Sequence, residues 1–135
     1  MTIRVYVDMT ADLFHYGHME FLKKARAQGD YILVGIHSDD TVASHKRAPI
    51  LTMDERIASV NGCRFVDEVL PNAPWCMDRT WIEKHSIDLV VHGNDYSEEQ
   101  FKKTHSVPME MGILRIVPYS PGISTTEIIR RITAL

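Results

Sequence analysis

The chain has 135 residues, 44% of them hydrophobic and 24% charged, a size and balance that suit one folded domain with its own core and exclude a disordered tail. Its formal net charge is −3, with acidic and basic residues mixed along the whole length, which excludes a general nucleic-acid-binding surface and makes any functional positive charge local. Cys63 and Cys76 are too few for a zinc cluster and read as buried free thiols; with no leader-like N-terminus and no run near ~18 apolar residues, a cytoplasmic protein without a membrane span is expected.

Residues 3–7 are rich in β-branched and aromatic side chains and read as a strand, followed by a polar break over residues 8–12 that reads as a loop. His18, Phe21, Leu22 and Ala25 then recur at the spacing of one helix face, and Gly29 follows where a helix would stop. Residues 31–36 form an unbroken apolar run, the mark of a strand covered on both faces in a parallel sheet. Residues 39–49 are polar and basic, with His45, Lys46 and Arg47 and no sustained period, and are expected to be loop. Thr52 and Glu55 have the spacing of a capping box that opens a helix to about residue 61. Short strands are expected at 66–70, 89–92 and 113–117, with part of a helix at 81–85. Ser124 and Glu127 form a second box-like pair, opening a helix over 125–132 with Ile128, Ile129 and Ile132 as its apolar stripe.

This alternation of β and α elements predicts an α/β fold, a Rossmann-like doubly wound parallel sheet with right-handed crossovers, in a single domain over residues 1–135. In such sheets ligands bind beyond the carboxyl ends of the strands. The loops to inspect are therefore 8–18, 37–49, 92–96 and 118–126.

His15-Tyr16-Gly17-His18 stands where the first strand meets the first helix. Its two imidazoles, three positions apart, face the same side. A helix N-terminus there favours an anion, Gly17 lets a phosphate approach the backbone closely, and the imidazoles add donors. Such groups steady charge that grows on a phosphoryl centre and its leaving group. The same spacing suits a zinc site, although no third ligand stands near, and it also suits two unconnected polar residues at a helix cap.

The segment from Asp12 to His18 resembles the H-x-G-H signature of the cytidylyltransferase family of nucleotidyltransferases. Residues 122–132, Gly-Ile-Ser-Thr-Thr-Glu-Ile-Ile-Arg-Arg-Ile, resemble that family's second signature, written R-T-x-G-I-S-T-T. Residues 64–69, 72–75 and 87–95 are similar, in order, to segments of phosphocholine, phosphoethanolamine and glycerol-3-phosphate cytidylyltransferases. The resemblance implies transfer of CMP from CTP to a small phosphorylated alcohol or related phosphonate, with release of pyrophosphate. It also implies Mg²⁺ bridging the triphosphate and a homodimer. An adenylyltransferase of the same superfamily and a catalytically inert nucleotide-binding module are the alternatives.

Carried over position by position, the resemblance makes His15, His18 and Lys46 the catalytic groups. Thr10, Asp12, Gly17, Gly93, Asp95, Tyr119, Ser120, Gly122, Ile123, Ser124 and Thr125 would bind the nucleotide, and Asp39, Arg64, Trp75 and Tyr96 the acceptor. Bland readings stand beside these: Lys46 as a solvated lysine, Arg64 in an ion pair with Asp67 or Glu68, Ser124 as a helix cap, Trp75 as a packing residue, Asp12 or Asp95 as orienting groups. The second signature is incomplete, because Tyr119 and Ser120 stand where the family has Arg-Thr. Arg115, Arg130 or a partner subunit would then supply the missing guanidinium. Met9 and Ala11 also replace a usual glycine and aromatic residue at the nucleotide pocket.

Overall fold

A computed structural model describes residues 1–135. In chain order it holds β1 (Arg4–Met9), α1 (Tyr16–Arg26), β2 (Tyr31–Ile36), α2 (Asp39–His45), α3 (Met53–Asn61), β3 (Glu68–Leu70), α4 (Arg79–Lys84), β4 (Leu89–Gly93), α5 (Glu98–Thr104), α6 (Ser106–Glu110), β5 (Leu114–Val117) and α7 (Thr125–Thr133). The five strands form one sheet in the order β3-β2-β1-β4-β5, every pairing parallel. The order reverses at β1, which places a crevice between the carboxyl ends of β1 and β4.

Val5, Tyr6 and Val7 are all fully buried, so β1 has no solvent face. Its alternation divides two covered sides. Val5 and Val7 pack with Ile32 and Val34 of β2, Phe21, Leu22 and Ala25 of α1 and Val60 of α3. Tyr6 joins Leu33, Leu70 and Val90 with Ile82 of α4 on the other side. Each such side chain contributes roughly 1.5–3 kcal/mol of burial, and truncating Leu22 to alanine costs about 2–5 kcal/mol.

Several local expectations are corrected. β1 continues through Asp8 and Met9 rather than breaking there, which carries Asp8 onto the Tyr6 side of the sheet. The 39–49 segment is not all loop: α2 occupies its first half, capped by Ser38 accepting from the Thr41 N–H at 3.1 Å and started by Asp39 and Asp40. Val42 is its one buried residue, too little to leave a periodic trace. α1 ends at Ala27 in an ordinary helical conformation. Gly29 is instead a close-approach glycine, where a Cβ would lie 2.6 Å from Val5 Cγ2 and 2.8 Å from the Ile3 carbonyl oxygen. The Thr52/Glu55 box forms as expected. Ser124 caps α7, but the Glu127 carboxylate turns forward to Arg130 and Arg131 instead of closing a box. The isoleucine stripe of α7 is only partly covered, Ile128 and Ile129 being half-buried and Ile132 exposed. α5 and α6 had no sequence trace of their own. Cys63 is buried, Cys76 is exposed, and both thiols are free. No helix is long and apolar enough to cross a membrane.

Candidate active site

The crevice is a cleft of about 740 Å³ at the carboxyl ends of β1, β2 and β4. Its approach is a strained loop: Ala11 and Leu13, neither a glycine, hold φ of +57° and +49°, a conformation that costs about 1–2 kcal/mol per residue. Polar ties hold that loop in place. Asp12 accepts from the Ile50 and Leu51 N–H groups, each at 2.9 Å, and its carbonyl accepts from the Thr125 hydroxyl at 2.9 Å. Arg56, with none of its surface exposed, donates to the carbonyls of Thr10 (2.7 Å), His37 (2.9 Å) and Leu51 (3.2 Å) and pairs with Asp39 at 2.6 Å.

The loop delivers His15 to the N-cap of α1. There His15 Nδ1 accepts from the Gly17 N–H at 3.0 Å, and His18 Nδ1 accepts from the His15 N–H at 3.1 Å. Two histidines thus make a capping box usually built from a hydroxyl and a carboxylate. The bonds fix the tautomer: a ring that accepts at Nδ1 carries its proton on Nε2. Burial, then neighbouring His15 and Lys46, push the His18 pKa down to about 3, and burial lowers that of His15. Both rings are neutral donors, and both line the cleft. Gly17 serves this packing: a Cβ would sit 2.8 Å from His15 Cε1 and 2.8 Å from Ile123 Cγ2. Its N–H is spent on the cap, so the donors left toward an anion are the ring Nε2–H groups.

Lys46 and Arg47 reach the cleft from the end of α2. Burial first, and Arg47 second, lower the Lys46 pKa. Thr10, Gly93, Asp95, Tyr119, Ile123, Ser124 and Thr125 also line the cleft. Gly93 admits the Tyr119 ring, whose Cδ2 would lie 3.0 Å from an added Cβ. Burial and then Asp95 push the Tyr119 pKa up to about 12, and the ring stacks on Phe21 at 5.7 Å.

The other end of the cleft centres on Asp8, which opens the first loop to inspect but carries no expected site role. Its Oδ2 lies 3.5 Å from His37 Nε2 and its Oδ1 3.3 Å from His105 Nε2. Burial raises its pKa, but hydrogen bonds and charge from His105 and His37 outweigh this and hold it well below the ordinary carboxylate range. Aromatic rings wall the carboxylate. Trp75 lies between His37 (5.0 Å) and His45 (4.3 Å, planes 4° apart), and Tyr96 packs on His92 at 4.3 Å. Burial, then Asp8 and Asp95, push the Tyr96 pKa up to about 12. His37, Trp75, His92 and Tyr96 all face the cleft.

Five expected site residues stand outside this lining, Gly17 among them because it packs under the His15 ring. Arg64 borders a separate groove between α1 and α3, with Phe14, Tyr16 and Met19, and its guanidinium lies over the Phe65 ring at 5.1 Å. Its supposed ion-pair partners are engaged elsewhere, Asp67 with Arg26 and Glu68 with the Tyr31 hydroxyl. Asp39 braces Arg56. Ser120 and Gly122 sit on the exposed turn before α7, where Gly122 holds φ +88°. Neither substitute named for the missing signature arginine points inward: Arg115 donates to the Gly112 and Leu114 carbonyls, and Arg130 pairs with Glu127. Arg47 is the guanidinium that lines the cleft. The signal for Asp8 was present, a carboxylate that keeps the period of a buried strand.

A family model described as Cytidylyltransferase-like matches residues 6–131. Ethanolamine-phosphate cytidylyltransferase of Arabidopsis thaliana is 46% identical over 136 residues, covering 96% of this chain and 32% of the relative. Choline-phosphate cytidylyltransferase 2 of the same plant is 36% identical over 143 residues, covering 96% and 44%. The chain thus spans about a third of the length of the first of these relatives. Among solved structures, the lipopolysaccharide core biosynthesis protein of Thermoplasma volcanium superposes with a TM-score of 0.72 at 24% identity, over 91% of this chain and 100% of that one; the likeness concerns the fold.

Proposed function

The chain belongs to the cytidylyltransferase-like family, and from that premise we propose that it transfers CMP from CTP to a small amino-alcohol phosphate, of which phosphoethanolamine fits best. The observation that carries the proposal is one cleft holding two capped, neutral histidines toward one end and a buried carboxylate walled by aromatic rings toward the other. The first arrangement suits a triphosphate, the second a cation.

In the reaction an acceptor phosphate oxygen forms a bond to the α-phosphorus of CTP. The bond from that phosphorus to the bridging oxygen breaks, and pyrophosphate leaves with the electron pair. His15 and His18 donate through Nε2–H to oxygens whose charge grows, while Lys46 and Arg47 offset repulsion between two anions. No proton need leave either ring. Asp12 keeps its loop in shape through its bonds to Ile50 and Leu51. Mg²⁺ belongs to this reading. Asp12 has both oxygens on backbone amides, which leaves Asp95 as a cleft carboxylate to join the oxygens of the nucleotide in holding the ion, where it would neutralise triphosphate charge.

The acceptor end favours a primary ammonium. Carbonyl oxygens only accept, so His37 donates through Nδ1 to Ala73 (3.0 Å) and His92 through Nδ1 to Gly93 (2.9 Å). The far nitrogen of His37, Nε2, faces the Asp8 carboxylate at 3.5 Å. An –NH₃⁺ group has donors for the Asp8 carboxylate, whereas a quaternary ammonium has none. The higher identity to the ethanolamine-phosphate enzyme points the same way. A homodimer fits the exposed Tyr16 and Met19 beside the Arg64 groove, and unpaired thiols suit the cytoplasm. The test is pyrophosphate release from each of the four NTPs with Mg²⁺ and phosphoethanolamine, phosphocholine or glycerol phosphate. Turnover with CTP and phosphoethanolamine is expected; turnover only with ATP overturns the reading.

A further inference from the structure

We propose that Asp8, His92 and His105 form a binding site for a divalent transition-metal ion at the floor of the cleft, separate from any ion carried by a triphosphate. One ligating atom from each residue lies within 4.8 Å of the other two. Metal–nitrogen and metal–oxygen bonds of about 2.0–2.1 Å place neighbouring ligands about 3.3–3.4 Å apart in a tetrahedron. The Asp8 Oδ1 to His105 Nε2 distance of 3.3 Å already has that length. His92, at the end of β4, completes the triangle, its ligating atom within 4.8 Å of those of Asp8 and His105.

The surroundings of the rings match what a ligating histidine requires, an oxygen on the far nitrogen that fixes the tautomer and turns a lone pair toward the ion. For His92 it is the Gly93 carbonyl at 2.9 Å. For His105 it is the Thr104 hydroxyl at 2.6 Å, which donates its own proton to the Gln100 carbonyl. Asp8 and His92 face the cleft, so the fourth position is open to water, while His105 is sealed behind them. Two imidazoles and one carboxylate suit Zn²⁺, Co²⁺ or Ni²⁺ and not Mg²⁺, which demands oxygen ligands. Asp8 is also the carboxylate assigned above to the acceptor's ammonium. On that reading, metal and acceptor exclude each other, and a transition metal inhibits by raising the acceptor KM.

Cobalt reports the site without any reaction. Titrating Co²⁺ into the metal-free protein is expected to give visible d–d bands that saturate at one ion per chain, with imidazole scattering at the cobalt absorption edge. His92→Gln and His105→Ala are each expected to weaken binding more than about 100-fold, beyond the loss that removing a supporting hydrogen bond brings. A Cys63→Ser, Cys76→Ser double variant is expected to bind like the parent. The site is overturned if cobalt shows no saturable spectrum, if its edge spectrum shows no imidazole, or if only the cysteine variant loses it. The edge spectrum of the unsubstituted protein decides the case should His105→Ala not fold. A saturable spectrum accompanied by inhibition that leaves the acceptor KM unchanged supports the metal site and counts against the acceptor assignment alone.

Discussion

Replacing Arg56 with methionine removes the guanidinium that ties the cleft loops together. The side chain is fully buried and donates to three carbonyls, those of Thr10, His37 and Leu51. Each acceptor orphaned by the change costs about 1–3 kcal/mol, so three give about 3 kcal/mol even at the low end. Asp39, with half of its side chain exposed, regains water and adds little. Methionine fills most of the vacated volume, so the cavity contribution is small. The expected loss is roughly 3–5 kcal/mol, a large share of the ~5–15 kcal/mol available to a domain. Urea unfolding followed by fluorescence and by circular dichroism measures it, coincident transitions establishing two-state behaviour. A loss below about 1 kcal/mol refutes the claim that this guanidinium braces the cleft.

Other outcomes follow from the same geometry. His18 is neutral when folded, with a pKa of about 3 against an ordinary 6.5; the unfolded chain binds the extra proton, so its stabilising effect is complete above about pH 6.5 and is lost as pH falls toward 3, at up to about 1.4 kcal/mol per pH unit. Urea melts at neutral and mildly acidic pH are expected to show that slope flattened in His18→Asn, and equal slopes in the two proteins contradict it. Gly17→Ala forces a methyl to 2.8 Å from His15 and Ile123, so a stability loss of about 1–3 kcal/mol is expected with a fall in kcat; a protein unchanged in both measurements disproves the packing role. Trp75→Ala takes away a wall of the cation end, and its acceptor KM is expected to rise by about 1–2 kcal/mol worth of binding, roughly 5- to 30-fold, with the CTP KM little changed. An equal rise in both constants goes against that placement.

Much of the fold is legible in the residues because its strongest signals are local. The apolar run at residues 31–36 coincides with β2, and the Thr52/Glu55 pair marks the start of α3. The short helices α2, α5 and α6 escape notice because α2 buries only Val42 and α6 only Pro108, which leaves no period to read. At the cleft, the motif histidines and their neighbours in the loops converge as spacing suggests. At the proposed acceptor end only Trp75 and Tyr96 show themselves, through the family resemblance: Asp8, His37, His92 and His105 come from four elements or their edges and meet only through sheet register and the return of α5. Asp8 also breaks the expectation that a polar residue ends a strand, since β1 runs on through it to Met9. Arg64 misled in the opposite sense, since a family segment carried it into a site from which α3 and the Phe65 ring hold it apart.

The central claim is that the His15 and His18 Nε2–H groups steady the transferring phosphoryl group. Its most direct test is kcat for pyrophosphate release from CTP and phosphoethanolamine in the parent and in a His15→Ala, His18→Ala double variant, with folding verified for both. A fall of about 10³-fold or more, with a smaller change in the CTP KM, is the result expected when transition-state donors are lost. A folded double variant that turns over at the parent rate contradicts the account.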